Sequence, residues 1–154
     1  MSEWQKIVDN LKKLDLNSFF EDEYKKTNVQ KFILDSNRNR LRVKGVDILG
    51  KEIRTYNARG GNVYSNRTID IKRDKGQPTS HVTLYDTGRW QGSFALKPRK
   101  TFATIESNKK SLSMIEDNVD MTNVLGLTDQ QNDLLANMLA PSISKKIVLK
   151  VFNV

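Results

Sequence analysis

Apolar residues recur at three- and four-residue intervals from the start of the chain, with Trp4, Ile7, Val8, Leu11 and Leu14 on one side of a helix. Ser2 followed by Gln5 has capping-box spacing, so the pattern predicts an amphipathic first helix. After Leu16 and Asn17 a second segment carries Phe19, Phe20 and Tyr24, and a third begins near Asn28 with Val29, Phe32 and Ile33 on one side. Its stripe fades beyond Asp35 until Leu41, and Gly45 is the expected helix stop.

The middle of the chain changes period. Gly45 to Ile53 reads as two short extended pieces around a Gly50 turn. Asn57 to Asn66, with Gly60 beside Gly61, has neither period, and an extended loop is expected over 57–67. Thr68 is expected to cap a short helix reaching Lys75 with Gly76 beyond its end, although Thr68 to Ile71 also alternates as a strand does. Within Asp86 to Trp90, the side chain of Asp86 or Thr87 is expected to cap a helical turn. The clearest hairpin pairs Ser93–Lys97 with Thr101–Ile105 across a turn at Pro98 to Lys100.

Helical spacing returns with Leu112, Ile115 and Val119. Thr128 and Gln131 form a second capping box, opening a helix with Leu134, Leu135, Met138 and Leu139. Pro141 is expected to end that helix, and Ser142 to cap a terminal segment from Ile143 to Phe152. The elements add up to an α+β fold: N-terminal helices, a central antiparallel hairpin region and C-terminal helices. At 154 residues a single domain over 1–154 is expected, with 1–28 as a helical N-terminal arm.

Composition narrows the chemistry. Without cysteine there is no thiol nucleophile, disulfide or cysteine-bound zinc, and His81 alone cannot supply a multi-histidine metal cluster. No cofactor is expected. No apolar run approaches the roughly 20 residues that cross a bilayer, so a soluble protein made in the cytoplasm, with no membrane partner, is expected. The net charge of +8 is uneven. Arg38 to Lys100 holds fifteen Lys and Arg against five Asp and Glu, while the remainder holds eleven against thirteen. A concentrated positive segment favours a polyanion or an acidic protein surface as neighbour.

Candidate reactive groups are sparse. His81 with Asp86 or a nearby serine lacks the oriented nucleophile and base of a triad, and a structural histidine is the better reading. Asp70 and Asp74 share a helical face without the further carboxylates a magnesium site needs. Gly60 and Gly61 lack the Lys-Ser/Thr of a phosphate-binding loop. No catalytic residue is therefore expected. Arg38, Arg40, Arg42 and Lys44, then Lys72, Arg73 and Lys75, are candidates to face a polyanion, but alternate positions on a helix diverge by about 200° and cannot form one stripe. Tyr85, Trp90 and Phe94 beside Arg89 read as core plus interface anchor.

Leu84-Tyr85-Asp86-Thr87-Gly88-Arg89-Trp90, with its flanks from Val82 to Phe94, resembles the Leu-x-Asp-Thr-Gly-x-Leu-x-x-Ser segment of small tailed-phage tail-completion and virion-morphogenesis proteins, with Trp90 in place of the usual Leu. The resemblance extends to Ile33–Asp47, Lys72–Pro78 and Leu125–Asp129, which together are similar to proteins of Bacteroidetes phages and prophages. It implies a component of the virion neck, a head–tail connector forming a homo-oligomeric ring between portal and tail for tail completion or head closure, with portal, connector and tail proteins as partners and DNA passing nearby. It implies no reaction. Tyr85, Asp86, Thr87, Gly88, Arg89, Trp90 and Phe94 become the expected interaction residues, with Trp90 and Phe94 turned inward and Arg89 outward. The 57–67 loop and the N-terminal helix are the expected reaching arms. The competing expectation is a basic DNA-binding accessory protein for packaging or regulation, which a steep salt dependence of duplex binding would mark.

Overall fold

Ser2 begins α1 (Glu3–Lys12) as the capping box predicts, its side chain accepting from the Gln5 amide at 3.3 Å. In the computed structural model, which describes residues 2–61 and 63–152, α2 (Leu16–Lys25) and α3 (Thr27–Asn39) follow. A π-helical turn at Arg40–Lys44 then closes on Gly45, whose amide reaches back to the Arg40 carbonyl. Next come α4 (Asn66–Asp74), α5 (Arg89–Gly92), the antiparallel pair β1 (Ala95–Pro98) and β2 (Ala103–Glu106), α6 (Lys109–Glu116) and α7 (Asp129–Phe152). The fold is α+β, with helices at both ends and a hairpin between them in which Leu96 pairs with Ile105.

Two apolar clusters form the interior. One gathers Leu41, Ile53, Val63, Tyr64, Val82, Trp90, Phe94, Val119 and Val124 from the middle of the chain. The other joins Val29 and Ile33 of α3 to Leu96 of β1 and Leu135 and Leu139 of α7. Leu34 and Ile105 touch both, so α3 and the hairpin are the shared wall. The apolar face of α3 continues through polar residues, because Asn37 and Arg40 lie on the phase set by Val29 and Ile33 and are buried with them.

Arg40 is 4% exposed. Its guanidinium donates to the carbonyls of Val46 (2.8 Å), Val124 (2.9 Å) and Gly126 (3.2 Å) and to Asn37 Oδ1 (3.2 Å), leaving Nε unpaired. Asn37 Oδ1 also accepts from the Gly126 amide at 2.9 Å. Burial disfavours the Arg40 charge, and Asp47 offsets part of that cost. Arg40 is thus a structural tie and does not face a polyanion, contrary to its place in the basic series.

Several boundaries depart from the pattern. Ser65 caps α4, accepting from the Thr68 amide, so Thr68 stands inside the first turn. The segment 57–67 is not extended throughout: Val63 and Tyr64 sink into the core, and α4 starts at Asn66. The expected hairpin around Gly50 is one bridge, Val46 to Glu52, because Asp47 Oδ1 holds the Leu49 and Lys51 amides in a tight turn. Thr128 and Gln131 do cap α7 reciprocally, at 3.0 and 3.3 Å. That helix runs through Pro141, although proline supplies no amide for the carbonyl four residues back.

Contacts made just past the proline hold the helix together. Ser142 does not cap; its hydroxyl donates to Glu23 at 2.7 Å and accepts from Lys26 at 2.9 Å. Glu23, 2% exposed, also meets Lys26 Nζ at 2.7 Å and Lys146 Nζ at 3.3 Å. Burial pushes its carboxyl up, but the donors from Lys26, Ser142 and Lys146 together outweigh that and hold it below the ordinary 4.5. The lock fastens α2 to α7, and α1 lies on α7 with the Asn10 side chain donating to the Val151 carbonyl at 3.0 Å.

Two predictions follow from these buried charges. Arg40→Ala strands three carbonyls and costs roughly 3 kcal/mol or more, whereas Lys44→Ala, four residues on and exposed, stays within about 0.5 kcal/mol, as urea denaturation will read. A carboxyl with a lowered folded-state pKa stabilises above its unfolded value and loses that contribution as pH falls through the lowered one. Glu23→Gln should therefore cost about 1–2 kcal/mol near pH 7, with the gap from the parent protein closing as pH falls below about 4.5.

Candidate functional site around the Asp86 to Trp90 turn

The turn is built on Gly88 and not on a capping side chain. Gly88 occupies the N-cap of α5 at φ +80°, and neither Asp86 nor Thr87 caps the helix. Asp86 is drawn away by Lys75, whose ammonium it binds. A Cβ on Gly88 would stand 2.9 Å from Tyr85 Cε2, so the close approach of the Tyr85 ring and the left-handed backbone both select glycine. Trp90 and Phe94 point inward as expected, edge to face at 4.8 Å, and Trp90 Nε1 donates to Ser107 Oγ at 3.0 Å. Arg89 is exposed and forms no salt bridge among the described residues.

The irregular run before the turn is held from below. Leu84 takes φ +48°, unusual for a branched side chain. Buried Gln91 fixes it, donating from Nε2 to the Thr83 carbonyl at 2.8 Å and to that of Leu84 at 3.4 Å. The Thr83 amide donates to Tyr64 Oη at 2.8 Å, and burial pushes the Tyr64 phenol up. Tyr64 and Gln91 are site residues that the sequence pattern misses. The lack of a helical or strand period around Tyr64 reads as an extended loop, and nothing in it marks the ring for tertiary contact.

The basic series is divided by the fold. Arg40 is buried as described, and Lys72 is buried too, a second departure from a polyanion-facing role. Lys72 Nζ donates to the Tyr85 carbonyl at 2.9 Å, Gln77 Oε1 at 3.0 Å and Thr83 Oγ1 at 3.4 Å, and lies 5.1 Å from the Tyr64 ring centre. Burial pushes its pKa down. Arg38 is tied to Asp35 and to the Gln91 carbonyl, both at 3.0 Å. Arg42 stacks 4.5 Å above Tyr85, while Lys44 and Arg73 are exposed, the latter 3.9 Å from Asp70.

Tyr85 separates two clefts. One, of about 630 Å³, lies between α4, the turn and α6 and is lined by Lys72, Leu84, Asp86 to Trp90, Ser111, Met114 and Ile115 among others. The other, of about 620 Å³, is lined by Arg38, Arg42, Val43, Pro78 and Tyr85 among others. His81 lies beside Gly45, where Nε2 meets the Arg42 carbonyl at 2.9 Å and Nδ1 meets Ser80 Oγ at 3.1 Å. A carbonyl only accepts, so Nε2 carries a proton and the ring fastens the end of the π-helical turn. Among the described residues no group of three or more His, Cys, Asp or Glu side chains gathers to hold a metal, and no helix is long and apolar enough to cross a membrane.

No family model, curated protein or solved structure matches this chain. The Gly88 geometry gives a direct check: Gly88→Ala should cost about 1–2 kcal/mol in urea denaturation from the clash and the positive φ, whereas Thr87→Ala, if Gly88 and not Thr87 sets the turn, should change stability by less than about 0.5 kcal/mol.

Proposed function

We propose that this chain is a tailed-phage virion structural protein, a neck component that assembles with copies of itself into a ring between portal and tail and binds neighbouring connector or tail proteins there. Assembly, not bond making, is its work. The observation that carries this reading is the apolar surface on the two helices at the ends of the chain. Trp4 is 76% exposed on α1, with Val8 and Leu11 exposed beside it, and Val148, Leu149 and Phe152 are exposed on the end of α7, against which α1 packs. No α1 residue is fully buried, so an amphipathic helix presents its apolar side chains without using them to build the core. The resemblance around Asp86 to Trp90 adds the phage context, and heterologous contacts between identical subunits close into a ring when the rotation between neighbours divides a full turn.

The members of the basic series that remain exposed, Arg42, Lys44, Arg73 and Lys75, suit loose contact with passing DNA better than a specific duplex site, because Arg40 and Lys72 are held inside the fold. The purified chain should form oligomers of defined mass in light scattering that survive moderate salt, since apolar burial is little screened. The pair Trp4→Glu and Leu11→Lys should shift that mass to the monomer, with circular dichroism unchanged, and particles carrying these substitutions should lack a joined tail. A parent chain that stays monomeric at high concentration, or duplex binding that falls steeply with salt in its place, would refute the reading.

A further inference from the structure

Lys72 is 7% exposed, yet among the described residues no carboxylate touches its ammonium. The oxygens around Nζ belong to Tyr85, Gln77 and Thr83 and are all neutral. Asp86 bears on it electrostatically, but the Asp86 carboxylate binds Lys75. A buried charge held by neutral oxygens and an aromatic face, with the nearby carboxylate paired elsewhere, is costly, and an anion that reaches it recovers part of that cost. Lys72 lines the cleft of about 630 Å³, a size usual for ligand pockets. Arg89, which forms no salt bridge among the described residues, lines the same cleft, so two cationic residues line it against Asp86, which is already paired with Lys75.

The rest of the wall is mixed. The cap Ser65, with Thr68 and Lys72 of α4, falls at i, i+3 and i+7 on one side and lines the cleft with polar side chains. Opposite them, Ile115 and exposed Met114 of α6, with Leu84 and Trp90, are apolar. A phosphate group would bring a second negative charge against Asp86 and leave this apolar half unused. A nucleic acid would gain little from it as well. We propose that the cleft binds a carboxylate carried on an apolar stem, the carboxylate engaging Arg89 and taking the place of the Thr83 hydroxyl, the longest of the three contacts, at Lys72, with the stem lying along Ile115 and Met114. The same chemistry can arrive as a free monocarboxylate or as an acidic side chain flanked by apolar ones on a neighbouring copy of the chain. The site does not depend on the assembly reading.

The test titrates the full chain with 4-phenylbutyrate, 4-phenylbutanol and inorganic phosphate, followed by calorimetry and by backbone amide shifts. Saturable binding of 4-phenylbutyrate is expected, with shifts centred on Thr68, Lys72, Ser111 and Ile115, and with the alcohol and phosphate each weaker by roughly tenfold. Lys72→Met should weaken binding by roughly tenfold or more, and Arg89→Ala by about three- to tenfold. Arg89 is exposed, so its variant keeps the test open if Lys72→Met fails to fold. Where 4-phenylbutyrate binds and also dissociates oligomers of the chain, the carboxylate comes from the neighbouring copy; where it binds and leaves the mass unchanged, the ligand is a free acid. Either result upholds the site. Equal binding of acid and alcohol, phosphate binding as tightly as the acid, affinity unmoved by Arg89→Ala, or no saturation by about 10 mM would overturn it.

Discussion

The Arg40 guanidinium is the constraint on which the rest of the arrangement depends. It lies where α3 gives way to the π-helical turn, and it takes carbonyls from the segment before the Gly50 turn and from the segment leading into α7. Those carbonyls have no strand to pair with, since the sheet has only two short strands among the described residues. A chain with so little regular pairing in its middle must satisfy buried backbone oxygen in another way, and a five-donor side chain is an economical solution. Asn37 extends the same device by accepting from Arg40 and from the Gly126 amide at once. The apolar clusters on either side of α3 are thereby held at a fixed distance from the loops that cover them.

Lys72 repeats this arrangement at smaller scale. It ties α4 to the backbone at Tyr85, while Tyr64 and Gln91 hold Thr83 and Leu84 from beneath. The turn that follows needs no side-chain cap because its entry is already fixed by tertiary contacts. That leaves Gly88 free to bring backbone against the Tyr85 ring, and leaves Asp86 free to pair with Lys75 at the surface. The two clefts beside Tyr85 are a consequence of how rigidly that residue is held: Arg42 stacks on it, and Lys72 holds its carbonyl.

What the sequence discloses is local. The caps at Ser2 and Thr128, the amphipathic α1 and the hairpin rest on residues three or four positions apart or on short alternation, and all are present, although the hairpin turn moves past Pro98, which pairs with Ala103 as the last residue of β1. Features set by distant partners are not legible in the same way. Pro141 does not stop α7 because Ser142 is anchored to Glu23, 119 positions away. The alternating basic run from Arg38 to Lys44 cannot be one stripe on a helix, as its spacing already says, but which member turns inward follows only from phase: Arg40 continues the buried face of Val29, Ile33 and Asn37. Lys72 gives no comparable sign, since two of the oxygens that hold it, those of Thr83 and Tyr85, lie eleven and thirteen positions downstream on a segment without regular structure.

The same division separates folding from sticking. Buried polar ties carry much of the specificity in the middle of the chain, so the apolar residues of α1 and of the end of α7 are not needed to close the core. A surface with Trp4 and Phe152 exposed is a liability for a solitary protein and an asset for one that meets copies of itself. A ring further requires that each subunit offer two different patches, because a single self-complementary patch stops at a dimer. The chain has two unlike candidates: the apolar ends of α1 and α7, and the mixed cationic and apolar cleft beside α6. One belongs to the helices that pack around the Leu135 and Leu139 cluster, the other to the cluster around Leu41 and Trp90, so occupation of either patch leaves the other available.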